Sequence, residues 1–264
     1  MALQQTNGFR RVQIGTRKKC RRIASSLRFA RGYPWQEFPT LNDQSDSAPS
    51  DSVPRPASWR VYDWPGVARF YDFWSALTES RAAARALEVA DFRPGESVLE
   101  VAVGTGVQFS KLAQIDGLKC CVGIEPAAAM LCRARRRLAS QMKERTALCR
   151  AEARQTPFAP EFFDVIMSCY MLDLLPESDI QKVLREFRRI LKPSGRLVLL
   201  VMARQNWLIQ GIWMSVYTLS PTLLGGCRPV SLSAYLTTGG WRTERREQIS
   251  QSGFRSQLVV ARPS

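Results

Sequence analysis

The feature that most constrains this chain is the run SVLEVAVGTG (residues 97–106), where strand-favouring residues lead straight into a glycine-rich turn. A stretch with so few polar interruptions suits a strand buried on both faces, as in a parallel sheet. The glycines then let the backbone turn tightly into a helix whose first N–H groups face the turn. The same grammar repeats downstream. GTGVQFSKLAQ reads as turn and helix, KCCVGIE as a strand, and PAAAMLCRARRRLASQMKE as a helix with Met130, Leu131, Ala134 and Leu138 on one face. TALCRAE and FFDVIMSCY read as strands, SDIQKVLREFRRILK as an amphipathic helix and GRLVLLVMA as a further strand. Strands and helices alternating at these lengths predict an α/β fold, a Rossmann-like doubly wound sheet with right-handed crossovers. WRTERREQIS and FRSQLVVAR are expected to form an antiparallel pair at the edge of this mostly parallel sheet.

The rest of the chain divides around that core. Before the first acid, Glu37, stand Arg10, Arg11, Arg17, Lys18, Lys19, Arg21, Arg22, Arg28 and Arg31, a large part of the formal net charge of +15. A basic, hydroxyl-containing, acid-poor start reads either as an organelle transit peptide or as a disordered tail able to touch nucleic acid. TLNDQSDSAPSDSVPRPAS (residues 40–58) has almost nothing to bury and reads as a linker. The expected organisation is therefore a disordered tail and linker over residues 1–58 and a folded domain over 59–264. That domain opens with Trp59, Tyr62, Trp64, Phe70, Tyr71, Phe73 and Trp74, which supply core packing or the roof of a pocket. An Ala- and Leu-rich helix over residues 78–90 follows, broken by Arg93-Pro94-Gly95. The long apolar stretch over residues 207–224 is expected to form helices above the carboxyl end of the sheet, or a packing or dimer contact.

Composition excludes several chemistries. The chain of 264 residues has no histidine, which removes imidazole bases, histidine triads and the HExxH metal sites. The 7 cysteines form no CxxC, so neither a zinc site nor a disulfide framework is expected. No metal is expected. No apolar run is long enough for a spanning helix, so the protein is expected to be soluble, in the cytoplasm, or in a mitochondrion or chloroplast if the tail is a transit peptide.

Chemistry concentrates at the glycine turn and at Glu125, which ends the next strand in GIEP. Doubly wound nucleotide binders place an acid there to accept from both ribose hydroxyls. An NAD-dependent dehydrogenase fits less well, because GTGVQF lacks the third glycine of GxGxxG.

The blocks VLEVAVGTG, GIEPAAAMLCRARRRL, AEARQTPFAPEFFDVIMSCYMLDLLP and VLREFRRILKPSGRLVLLVM, in this order and spacing, resemble the class I S-adenosylmethionine-dependent methyltransferases, and among them the ubiquinone and menaquinone biosynthesis group. The resemblance covers residues 97–202. It implies the class I methyltransferase fold, S-adenosylmethionine as cofactor and a small-molecule methyl acceptor, of which a quinone or lipid-like one suits the apolar 207–224 stretch. By position it implies that Glu100, Val101, Ala102, Gly104, Thr105 and Gly106 wrap the methionine part of the cofactor and that Glu125 holds the ribose. It places Glu152 at the exocyclic amine of the adenine, Ala153 at a backbone contact, and Cys169, with Ser168 beside it, beneath the sulfonium.

The sequence departs from the family pattern in two places. Ala102 stands where the usual E/DxGxGxG has its first glycine, and alanine tolerates a positive φ poorly. In ordinary β conformation its methyl would only narrow the pocket; at positive φ it would weaken cofactor binding. After the fourth strand, Met171-Leu172-Asp173-Leu174-Leu175-Pro176 stands where relatives often carry a histidine pair before LP. Asp173 is then either a polar group facing the substrate or an acid favoured at a helix N-terminus. Tyr170 is a second candidate for aligning the acceptor. Methyl transfer needs little base assistance, so Asp173 and Tyr170 are the catalytic candidates. The competing reading is a non-catalytic protein that keeps the methyltransferase fold to bind or assemble with nucleic acid or protein.

Overall fold

Val98, Leu99 and Val101 are almost wholly buried, as a strand with neighbours on both sides must be. In the computed structural model they belong to β1 (Ser97–Val101), which is followed by β2 (Cys120–Ile124), β3 (Thr146–Cys149), β4 (Phe163–Cys169), β5 (Leu191–Met202), β6 (Trp241–Gln251) and β7 (Phe254–Pro263). The structure describes residues 65–140, 143, 145–204, 211, 215, 219 and 227–264, all within the unit Ser45–Ser264. The basic tail, the linker, Trp59, Tyr62, Trp64 and most of the apolar 207–224 stretch lie outside the described residues.

The strands form one seven-stranded sheet in the order β3-β2-β1-β4-β5-β7-β6. β1 to β5 run parallel, and β7 pairs antiparallel with both β5 and β6. This is the doubly wound sheet with an antiparallel edge pair expected from the sequence. Strand order reverses between β1 and β4, so a crevice opens at their carboxyl ends, the place where such sheets bind ligands.

The helices are α1 (Pro65–Thr78), α2 (Ser80–Val89), α3 (Val107–Leu112), α4 (Ala128–Leu138), α5 (Glu177–Ile190) and α6 (Leu232–Thr238). Met130, Leu131, Ala134 and Leu138 are the buried face of α4, as their spacing predicts. Ile180, Val183, Leu184, Phe187 and Ile190 form the corresponding stripe on α5. Ala82, Ala86, Phe109, Leu131 and Leu138 join Val98, Cys121, Val165 and Met167 in the main core, so α2, α3 and α4 cover one face of the sheet. Trp74 of α1 packs edge-on against Phe254, with ring centroids 6.4 Å apart, while Phe73 is exposed. Of the aromatic segment, Trp74 thus packs and Phe73 lies at the surface. Among the described residues, no helix is long and apolar enough to cross a membrane.

Gly106 is the residue before α3 and sits at φ +81°, and a Cβ there would stand 2.9 Å from Ala134 Cβ and 3.0 Å from Ala134 Cα. Both conformation and space demand glycine. Gly106→Ala is expected to lower stability by about 2 kcal/mol or more, since positive φ costs roughly 1–2 kcal/mol and the contact with α4 adds to it. Denaturant unfolding measures the loss.

Candidate active site

Strand register alone brings the site together. Val101 pairs with Ile124 on one side and Ser168 on the other, and Ile124 pairs with Cys149. Ala102, Glu125, Cys169 and the segment from Arg150 therefore leave the sheet at one level, along one edge.

The glycine turn is stitched to the end of β2. Val103 N–H donates to the Ile124 carbonyl at 3.1 Å, and Gly104 N–H donates to Glu125 Oε2 at 2.9 Å. Glu125 Oε1 accepts from Ala127 N–H at 2.9 Å. The buried carboxylate thus holds the turn and the start of α4 together. Ala102 is at φ +61°, Gly104 at +55° and Gly106 at +81°. Of the two conformations open to Ala102, the chain has the strained one, because the turn it shares with Gly104 and Gly106 is wound for glycine.

Asp72, which the sequence reading did not single out, fixes α1 over this turn. It accepts from the Thr105 hydroxyl, from Arg137 Nη2 at 2.9 Å and from Arg133 Nη2 at 3.2 Å. Arg137 Nη1 also donates to the Thr105 carbonyl and hydroxyl. Thr105 is 2% exposed, its hydroxyl engaged by α1 and α4.

Between the ends of β1, β2 and β3 lies a small cleft, lined by Ala102, Ile124, Pro126, Glu152, Ala153 and Met171 among others. It is an apolar slot with one carboxylate, Glu152. Arg154 orients Glu152, donating from Nε at 3.2 Å to Oε1 and from Nη2 at 3.3 Å to Oε2, and its Nη1 reaches Asp179 Oδ2 at 2.8 Å.

Three carboxyls are buried nearby. Burial pushes Glu100 up to about 8. Burial also raises Glu79 to about 7, with a Ser75 hydrogen bond opposing and the Asp173 charge assisting. Asp173 goes up to about 7 through burial, against a hydrogen bond from the Met202 N–H. One oxygen of each, Glu79 Oε2, Glu100 Oε2 and Asp173 Oδ1, has no hydrogen-bond partner among the described residues, and neither does Ser168 Oγ.

Asp173 lies in a short 3-10 turn, Leu172–Leu174, fully buried, with Oδ2 accepting from Met202 N–H at 3.1 Å. It pins that turn to the end of β5 rather than capping an exposed helix start. Tyr170, at φ +52°, shares a 2.6 Å hydrogen bond with the Ser256 hydroxyl of β7, and burial holds its phenol well above the usual range. Cys169 is half-buried, its thiol pushed far up by burial and then by the charges of Glu100, Glu79 and Asp173. It stays protonated and is no nucleophile. Cys120 and Cys121 are buried free thiols. Among the described residues, no group of His, Cys, Asp and Glu is placed to hold a metal. Glu79 also went unnoticed in the sequence, where one acid amid helix formers carries no sign of burial.

This glycine turn, acid and slot at the switch point of such a sheet define the class I methyltransferase architecture, and residues 98–195 match the methyltransferase domain model. The fold is similar to that of the YcgJ protein of Bacillus subtilis, with TM-score 0.57 and 17% identity over 69% of this chain and 98% of that one. It is also similar to a Haemonchus contortus phosphoethanolamine N-methyltransferase, solved with S-adenosylhomocysteine, with TM-score 0.59 and 13% identity over 70% of this chain and 52% of that one. In sequence it is 36% identical over 110 residues to the ubiquinone/menaquinone biosynthesis C-methyltransferase of Cereibacter sphaeroides, covering 41% of this chain and 43% of that protein. The chain spans about half the length of the curated relatives it matches. The methyltransferase domain match over residues 98–195 spans less than half of the chain.

Ala102→Gly is expected to raise stability by about 1 kcal/mol, because glycine meets φ +61° without strain. Thermal unfolding of the two proteins checks it. Glu79, Glu100 and Asp173 bind their protons more tightly in the folded chain than unfolded, where carboxyls titrate near about 4. Their stabilising contribution is therefore complete below about 4, shrinks steadily as pH rises from there to about 7 to 8, and is gone above it. The melting temperature is expected to fall over that range, and Glu100→Gln to flatten the fall.

Proposed function

We propose that this protein transfers the methyl group of S-adenosylmethionine to a small molecule, a quinol or similar lipid-like ring carrying a hydroxyl. The observation that carries the reading is the convergence of the glycine turn, Glu125 and the Glu152 slot at the switch point of the sheet. On this reading Glu152 and Ala153 receive the adenine, Glu125 the ribose hydroxyls, and Glu100 with the turn residues from Val101 to Gly106 the methionine part. Cys169 lines the position beneath the sulfonium without reacting. Likeness to the ubiquinone/menaquinone methyltransferase supports a ring acceptor, as does the apolar composition of residues 207–224.

When bound, the cofactor supplies a methyl group on a sulfonium, whose departure as a thioether needs no proton. The protein's share is to orient acceptor and methyl and to exclude water, and orientation is worth on the order of 7–11 kcal/mol. A chain without histidine can do this. Asp173 and Tyr170 border the acceptor side; the Tyr170 hydroxyl is committed to Ser256, which leaves Asp173 Oδ1 the freer group.

One observation favours the second reading, a methyltransferase-fold protein that binds or assembles without catalysis: the φ of +61° at Ala102 strains the turn that must accept the cofactor. Calorimetry separates the two. The account expects S-adenosylmethionine to bind in the micromolar range, Glu125→Ala to weaken it about tenfold or more through lost charged hydrogen bonds, and labelled methyl to appear on one of a panel of reduced quinols. No heat and no thermal shift with S-adenosylmethionine would favour the non-catalytic reading.

A further inference from the structure

The charges of Glu79, Glu100 and Asp173 all reach one thiol, that of Cys169, and Glu79 also feels the charge of Asp173. Glu79 sits between α1 and α2, Glu100 in β1 and Asp173 in the turn after β4, and Cys169 at the end of β4 feels the charge of all three. Glu79 is 4% exposed and Asp173 is 0% exposed. Each has an anchor: Ser75 donates a hydrogen bond to Glu79, and Met202 N–H donates to Asp173 Oδ2. Each also has an oxygen without a partner among the described residues, Glu79 Oε2 and Asp173 Oδ1. Buried carboxyls left open in this way are costly. The groups that interact with them are Ser75 from α1, Cys169 and Tyr170 from β4 and its end, and Cys227 ahead of α6, while Glu100 from β1 acts on the same Cys169 thiol. Arg228 lowers Asp173 from a distance, but its guanidinium donates to the Leu175 carbonyl at 2.9 Å and to Glu177 at 3.3 Å.

We propose that Glu79 and Asp173 are the proton-accepting pair of the site, Glu79 reaching down from the helical roof to take the proton of the acceptor's hydroxyl while Asp173 faces it from the sheet. This rests on the methyl-transfer reading and deepens it, because it requires an acceptor with an ionisable ring hydroxyl. The acceptor's O–H bond breaks and its proton passes to Glu79 Oε2. The electron pair left on oxygen forms the bond to the methyl carbon, directly or through the conjugated ring, and the carbon–sulfur bond breaks with its pair on sulfur. Where a ring carbon is methylated, tautomerisation returns that carbon's proton to the ring oxygen, so one proton in all is left on the pair. Both carboxyls are held up to about 7 by burial, which suits proton transfer near neutrality. Two like charges so placed also resist ionising together.

The test uses the full chain with Glu79→Gln, Glu79→Asp and Asp173→Asn, each first shown to be folded by its melting curve. Calorimetry near neutral pH in buffers of different ionisation heat counts the protons released on ligand binding. The wild type is expected to release more protons with S-adenosylmethionine, whose positive charge ionises the pair and Glu100, than with neutral-sulfur S-adenosylhomocysteine, and Glu79→Gln to cut that difference by about a third, the share of one of three raised carboxyls. With naphthohydroquinone as acceptor, wild-type kcat is expected to rise with pH through about 7. Glu79→Gln should lose that limb and about 10²-fold of kcat with little change in KM, whereas Glu79→Asp keeps the limb. Unchanged proton release in Glu79→Gln overturns the pair's role, and so does an unchanged pH limb. A wild type that binds no S-adenosylmethionine overturns the methyl-transfer reading itself, while one that binds it without methylating the probe leaves the proton count to decide.

Discussion

The hydrogen bond from Gly104 N–H to the Glu125 carboxylate is the contact on which the site depends. It joins the turn after β1 to the end of β2, and the same side chain reaches Ala127 at the start of α4. Parallel pairing sets both strand ends level, so the carboxylate spans the gap without a loop. Around it the apolar slot, the Arg154-oriented Glu152 and the roof held by Asp72 take their places. The bond also explains why the turn keeps a left-handed path at Ala102: with Gly104 N–H tied down, an extended Ala102 would swing the turn off the acid.

The opposite physics rules a short distance away. Most buried ions here are matched, as Arg196 is by Glu96 at 2.7 Å or Arg154 by Asp179 at 2.8 Å. Glu79, Glu100 and Asp173 have no such ion pair among the described residues, and burial drives each toward its neutral form. Packing that supports the fold would have been served as well by leucine or methionine. The proton-accepting role proposed for Glu79 and Asp173 is a use for such carboxyls that packing does not supply.

The fold was legible because its signals are periodic. Runs such as VLEVAV and KCCVGI name a strand wherever they stand, and the spacing of Met130, Leu131, Ala134 and Leu138 names the buried face of α4. Glu125 was legible as well, being the acid that ends the second strand. The conformation of Ala102 was not, since a single alanine is compatible with either backbone state and only the turn's hydrogen bonds choose. Asp72 and Glu79 were hidden for another reason. Their meaning comes from α1 and α2 folding over the sheet, where long-range contacts with Thr105, Arg137 and Asp173 turn ordinary helix acids into site residues. Asp173 was marked by position, but its bond to Met202 depends on β5, which lies well downstream.

The central claim is that the switch-point crevice grips a nucleoside through Glu125 and the slot beside Ala102. A crystal structure grown with saturating S-adenosylhomocysteine tests it most directly. The account predicts the adenine between Ile124 and Ala153, the ribose hydroxyls on Glu125 and the Ala102 φ still positive. A cleft without nucleoside under those conditions, with Glu125 held wholly by backbone N–H groups and the Ala102 methyl filling the space, would contradict it.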